Sequence, residues 1–195
     1  MAPKHCDGNE PFSYKHTSHL LNPLRRLFLS PGKLVKRLEL KRNSIVLEIG
    51  SGPGYFSVEV ARAVPEGMLL LVDIQPEMLN MAGHRLGKKG ISNVRYLVGN
   101  ANALQLAEQS CDVVFLVSVL GEVADKPGCL REIHRVLRPD GLLSITEQPH
   151  DRHSLPMSEV LEMAGEDGFR FEKSFGRGQN FTVNFRKSAA CIVCN

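Results

Sequence analysis

The 195-residue chain has no apolar stretch that approaches a membrane span. Uninterrupted runs such as Met68 to Val72 and Val113 to Val117 fall far short of the roughly 18 residues needed to cross a bilayer core. The start, Met1-Ala2-Pro3-Lys4-His5-Cys6-Asp7, lacks the apolar core of a secretory signal, so a soluble cytoplasmic protein is expected. A strong charge imbalance is also missing. The net charge is +3 with His neutral, too small to imply a nucleic-acid partner. No disulfide framework is readable: the five cysteines are odd in number, and Cys111 and Cys129 fall inside expected core elements. Cys191-Ile192-Val193-Cys194 has the spacing of half a zinc site, with His5, Cys6, His16 and His19 as available partners. One such pair without a second does not define a site, and no metal is expected. Repeats and low-complexity tracts are absent.

What is present is an ordinary globular composition, 43% hydrophobic and 23% charged, enough to bury one sizeable core. Residues 1–43 carry nine Lys/Arg against three Asp/Glu. Such a segment can steer anionic substrates or meet anionic lipid, although a solvated helix face is the simpler account. Leu20 to Leu40 shows helical spacing broken at Pro23 and Ser30-Pro31-Gly32, which predicts two short helices. From Ser44 a rhythm begins. Buried strands are expected at 44–49 and 68–74, and further strands at 93–98, at 111–119, nearly continuous in apolar residues, and at 142–147. Helices are expected at 55–64, 76–86, 126–137 and 157–165. Pro139-Asp140-Gly141 reads as a turn, and residues 170–175 and 181–187 alternate like a hairpin. Apolar strands alternating with helices imply an α/β, doubly wound, mostly parallel sheet, and the final hairpin implies an antiparallel edge. Such sheets bind ligands at the carboxyl ends of their strands.

The first strand runs into Glu48-Ile49-Gly50-Ser51-Gly52-Pro53-Gly54-Tyr55. Glycines there let a backbone approach a ligand and open a helix whose amides favour negative charge. A dinucleotide fingerprint beginning at Gly50 requires a third glycine at position 55, which is Tyr55. The second strand ends at Asp73, an acid suited to two ribose hydroxyls, or to capping the helix that starts at Pro76.

These residues resemble the class I S-adenosylmethionine-dependent methyltransferases, a Rossmann-like family. The resemblance extends over about residues 44–188. It includes Gly99-Asn100-Ala101, Cys111-Asp112-Val113-Val114, and the run Leu130-Arg131-Glu132-Ile133-His134-Arg135-Val136-Leu137-Arg138-Pro139-Asp140-Gly141. That run is similar to the ubiquinone/menaquinone-biosynthesis-like, small-molecule branch. The resemblance implies a seven-stranded sheet, S-adenosylmethionine as cofactor and S-adenosylhomocysteine as product. It implies Gly50, Ser51 and Gly52 under the methionine part, with Glu48 supporting the turn. Asp73 takes the ribose, Ile74, Asn100 and Ala101 border the adenine, and Val117 lines the methionine end. Asn100 stands where the family usually has Asp. Leu120-Gly121-Glu122 stands where the branch often has His-His, so the acceptor class does not carry over.

Methyl transfer from an activated sulfonium needs alignment and dryness, and needs a base only when the nucleophile carries a proton. The base candidates are His16, His19, Glu122 and His150, with Glu147 and Gln148 at the same strand end; a surface role is the simpler account of His16 and His19, and helix capping accounts for Glu122 equally simply. Ser51 and Ser118 sit in no nucleophile motif. Residues 1–40 are expected as a helical lid or substrate segment, and 41–190 as the cofactor domain, in one compact unit. The leading expectation is a methyltransferase for a small molecule, with quinone-like, sterol-like, metalloid and amino acceptors open. Arsenite ranks low, because Cys111 is expected at the buried far end of its strand. The alternative is an S-adenosylmethionine-binding regulatory or partner protein without transferase activity. Oligomeric state is not readable.

Overall fold

The computed structural model describes residues 29–149 and 152–188. Helix α1 (Pro31–Arg37) starts at Ser30, whose side chain accepts from the Lys33 amide, with Pro31 in the first turn. There follow β1 (Ile45–Ile49), α2 (Ser57–Ala63), β2 (Met68–Asp73), α3 (Pro76–Gly87), β3 (Val94–Val98) and β4 (Cys111–Val117). Then come a single 3-10 turn (Leu120–Glu122), α4 (Lys126–Val136), β5 (Leu137–Glu147), α5 (Met157–Glu166), β6 (Phe169–Arg177) and β7 (Asn180–Lys187). The part of the expected helical pair that precedes residue 29 lies outside the described residues.

The seven strands form one sheet in the order β3-β2-β1-β4-β5-β7-β6. β1 to β5 pair in parallel, while β7 pairs antiparallel with both β5 and β6. One face packs Leu34 and Leu38, Val58 and Val60, and Leu79 and Leu86 against Val46, Leu71 and Phe115. The other packs Leu130, Ile133 and Val160 against Leu47, Val114, Ile145 and Val183. Both faces of β1, β2 and β4 are therefore covered, which is why these strands read as continuous apolar runs. The chain steps outward from β1 to β3 and then returns to β4 beside β1. A crevice results between the carboxyl ends of β1 and β4, where a doubly wound sheet holds its ligand.

β3 is an edge strand, and Tyr96 and Val98 are 40% and 55% exposed. Two local expectations change. β4 stops at Val117, because Ser118 takes φ +55° and leaves the strand direction. Pro139-Asp140-Gly141 is not a free turn but a bulge inside β5. Leu137 pairs with Cys111 and Leu142 with Val113, and Asp140 absorbs the surplus chain at φ +59°. Asp tolerates that left-handed conformation better than most residues.

Candidate active site

The turn after β1 lies at the crevice. Gly50 and Ser51 both donate their amides to the Val72 carbonyl, at 2.8 and 3.3 Å, which ties the turn to β2. Gly50, Gly52 and Gly54 have φ of +66°, +52° and +74°. At Gly50 space adds to conformation: a Cβ there would come within 2.4 Å of Val119 Cγ2. The chain leaving β4 thus closes directly onto the turn, a contact no local motif announces.

Two carboxylates flank the turn. Asp73, only 7% exposed, accepts from the Gly52 amide at 2.8 Å through one oxygen and from the Gln75 amide at 3.0 Å through the other. A carboxylate offers about four lone-pair sites, so accepting capacity remains beyond these bonds. Burial pushes its pKa up, opposed by the amides of Gln75, Gly52 and Ile74. Glu48, 3% exposed, accepts from Ser57 Oγ at 2.6 Å. Burial pushes its pKa up to about 8; the Ser57 hydroxyl opposes this and the nearby Asp73 carboxylate reinforces it. Among the described residues neither acid makes an ion pair. The site therefore holds two buried acids with no countercharge among the described residues.

Beyond Asp73, Ile74 is 53% exposed, an apolar face left to solvent beside the crevice. Asn100 follows β3, and its Oδ1 accepts from the Asn102 amide at 3.0 Å, which leaves its Nδ2 directed elsewhere; Ala101 is buried. Val117 ends β4 next to β1. Ser51 Oγ, in the turn after β1, and Ser118 Oγ, directly after β4, are buried without a hydrogen-bond partner among the described residues. The structure thus brings Glu48, Gly50, Ser51, Gly52, Asp73, Ile74 and Val117 to one sheet edge, with Asn100 and Ala101 at its end. Glu122 lies in the 3-10 turn after β4, half-buried. His16, His19 and His150 lie outside the described residues, as do Cys191 and Cys194.

Sequence reasoning missed Ser57, Ser118, Val119 and His153. The His153 carbonyl sits where a Cβ on Gly121 would be, 1.7 Å away, so the loop after β5 crosses the loop after β4 in contact with it. Ser57 carried only a weak signal, a hydroxyl in the first turn of the helix following Glu48. Cys111 opens β4 at the opposite end of the sheet, where burial pushes its thiol up to about 11.

The strand order, the glycine turn closing β1 and the acid ending β2 define the class I S-adenosylmethionine-dependent methyltransferase fold. The chain belongs to the methyltransferase domain family, whose model matches residues 40–168. It is 35% identical over 127 residues to the ubiquinone/menaquinone biosynthesis C-methyltransferase UbiE of Klebsiella pneumoniae, covering 64% of this chain and 49% of that protein. To UbiE of a Marinomonas species it is 32% identical over 141 residues, covering 71% and 54%. The chain therefore spans about half the length of the curated relatives it matches. A crystal structure of an S-adenosylmethionine-dependent methyltransferase from Aquifex aeolicus superposes with a TM-score of 0.84 at 25% identity, covering 91% of this chain and all of that one. No helix among the described residues is long and apolar enough to cross a membrane.

Proposed function

We propose that the chain transfers a methyl group from S-adenosylmethionine to a small, electron-rich hydroxyaromatic acceptor of the quinol type. The relatives' part in quinone biosynthesis supports the acceptor class. The observation that carries the cofactor reading is the buried Asp73. It is hydrogen-bonded to the glycine turn and still has lone pairs to accept from a ligand. The unpartnered Ser51 and Ser118 hydroxyls beside the buried Asp73 also fit a polar ligand.

When bound, S-adenosylmethionine supplies an activated methyl group on a sulfonium centre. In this reading Asp73 accepts from both ribose hydroxyls, and the backbone of Gly50, Ser51 and Gly52 receives the methionine part. Glu48 holds the turn through Ser57, a charge-assisted bond whenever the carboxyl is ionised. Ile74 offers an apolar face to adenine, Asn100 and Ala101 border that ring, and Val117 lines the methionine end. Alignment and exclusion of water are the protein's main tasks. A phenolic acceptor also needs its proton taken. Glu122 is the candidate at the crevice among the described residues, and His16, His19 and His150 are the others. The segment 1–40 is proposed as the cover over the acceptor.

The test is calorimetric titration with S-adenosylhomocysteine, with NAD as control. Micromolar binding of the first alone is expected, followed by transfer of labelled methyl to a naphthohydroquinone. No binding of S-adenosylhomocysteine would remove the cofactor assignment. Binding without transfer to any hydroxyaromatic would favour a regulatory or partner role.

A further inference from the structure

β6 ends the sheet, and one of its faces lies on the side that α1 covers. Thr182 and Asn184 on β7 mark that side. Arg37 Nη1 donates to Thr182 Oγ1 at 2.7 Å, and Asn184 Nδ2 donates to the Arg37 carbonyl at 2.7 Å. Thr182 pairs with Phe175 and Asn184 with Lys173, so both β6 residues face α1. Arg177, two positions after Phe175, shares their side. The Arg37 guanidinium and Lys173 Nζ stand 5.1 and 5.2 Å from the centre of one ring, that of Phe175. Cations from the first helix and from the edge strand thus form one surface. Lys33 sits one turn before Arg37 on α1, and Lys33, Lys36, Lys173 and Arg177 are all exposed.

That surface is left positive. Among the described residues none of Lys33, Lys36, Arg37, Lys173 and Arg177 makes an ion pair. α1 itself contains no acid. The nearby carboxylates, Glu39 after α1 and Glu172 on β6, are both engaged by Arg186. The 28 residues that lead into α1 add Lys4, Lys15, Arg25 and Arg26 against Asp7 and Glu10, and they include Leu20, Leu21, Leu24, Leu27 and Phe28. Residues 44–195 together hold more acids than bases, so the positive charge is one-sided. A one-sided field suits contact with a flat anionic surface better than the wrapping of a polyanion. Clusters of Lys and Arg next to leucine and phenylalanine are drawn to anionic bilayers, where the cations meet headgroups and the apolar side chains meet the acyl boundary.

We propose that α1 and the α1-facing side of β6 dock on a membrane surface containing anionic lipid. Phe175 stands in register, through Thr182 and Thr146, with Val117 at the end of β4, so the surface adjoins the crevice end of the sheet. Docking there sets the crevice beside the bilayer, where an apolar acceptor partitions. The docking goes beyond the methyltransferase reading; only its link to the acceptor rests on it.

The test is co-sedimentation of the full chain with vesicles of phosphatidylcholine alone and of phosphatidylcholine mixed with phosphatidylglycerol. Binding to the anionic vesicles is expected to be about tenfold tighter or more, and to weaken as salt is added. Lys33→Glu with Lys36→Glu, and separately Lys173→Glu with Arg177→Glu, should each lower that preference severalfold. The four changes together should erase it while leaving S-adenosylhomocysteine affinity unchanged. If a reversal variant does not fold, the same positions changed to Gln are read instead. Equal binding to the two vesicles, binding to neither, or a preference untouched by either pair would overturn the docking. Tighter binding of an RNA duplex than of anionic vesicles would give the surface to nucleic acid and overturn it as well. Loss of S-adenosylhomocysteine binding with the vesicle preference intact strikes the methyltransferase reading alone, whereas normal cofactor binding without the preference strikes the docking alone.

Discussion

Asp73 has two tasks that its position joins: it anchors the glycine turn through the Gly52 amide and presents its remaining lone pairs to the crevice. Asp73→Ala should weaken S-adenosylhomocysteine binding by about 1.5–3 kcal/mol, which calorimetry measures directly. Unchanged affinity would remove the ribose assignment. Gly50 is constrained twice, by φ and by Val119. A non-glycine residue in the left-handed region costs about 1–2 kcal/mol, so Gly50→Ala should lower the melting temperature by roughly 2–8 °C. Adding Val119→Ala should restore cofactor binding in part but not the melting point, because the steric contact is relieved while the backbone strain remains. Equal losses in the single and double variants would mean that Val119 does not limit the turn. Asp73 and Gly50 were legible because glycine spacing and a strand-ending acid are local signals. Val119 was not, because its contact with Gly50 joins residues 69 positions apart.

Among the elements, the connection between β3 and β4 depends most on something distant. It carries Asn100 and Ala101 and has little regular structure, yet α4 holds it. Arg135 donates to the carbonyls of Leu104 and Leu106 at 2.9 and 2.8 Å. Glu132 accepts from the Leu104 amide at 2.8 Å, and Asn102 donates to the Asp125 carbonyl. Asp125 also caps α4 by accepting from the Gly128 amide. Arg135→Ala should therefore cost about 1–3 kcal/mol and weaken S-adenosylhomocysteine binding severalfold, since the proposed adenine border loses its support. Denaturant unfolding and calorimetry on one preparation check both. A stability loss with unchanged affinity would show that the loop keeps its shape without α4. The amphipathic pattern of α4 was readable in sequence, since Leu130 and Ile133 mark its buried side. The task of its polar side was not, because Arg135 meets residues about 30 positions away.

For the molecule as a whole, the buried acids make stability depend on pH. Glu48 holds its proton up to about pH 8 when folded, whereas an unfolded glutamate loses it near pH 4.3. Between those values the folded state binds the extra proton, so its stability falls as pH rises; Asp73 acts in the same direction. The melting temperature of the ligand-free protein should drop between pH 5 and pH 8.5, and Glu48→Gln should flatten most of that slope. A slope unchanged in Glu48→Gln would place the titrating group elsewhere. The doubly wound sheet, its antiparallel end, the glycine turn and its acid were legible in the residues alone. Each is encoded within a few neighbouring residues by periodicity, glycine and charge. Folding was needed to make β3 an exposed edge, to turn Pro139-Asp140-Gly141 into a bulge, and to bury Glu48 and Asp73 with no ion pair among the described residues. It alone brought Arg37 from the first helix to Thr182 and Phe175 on the last two strands. Strand order and register set those relations, and they emerge only when segments remote in sequence bury their faces against one another.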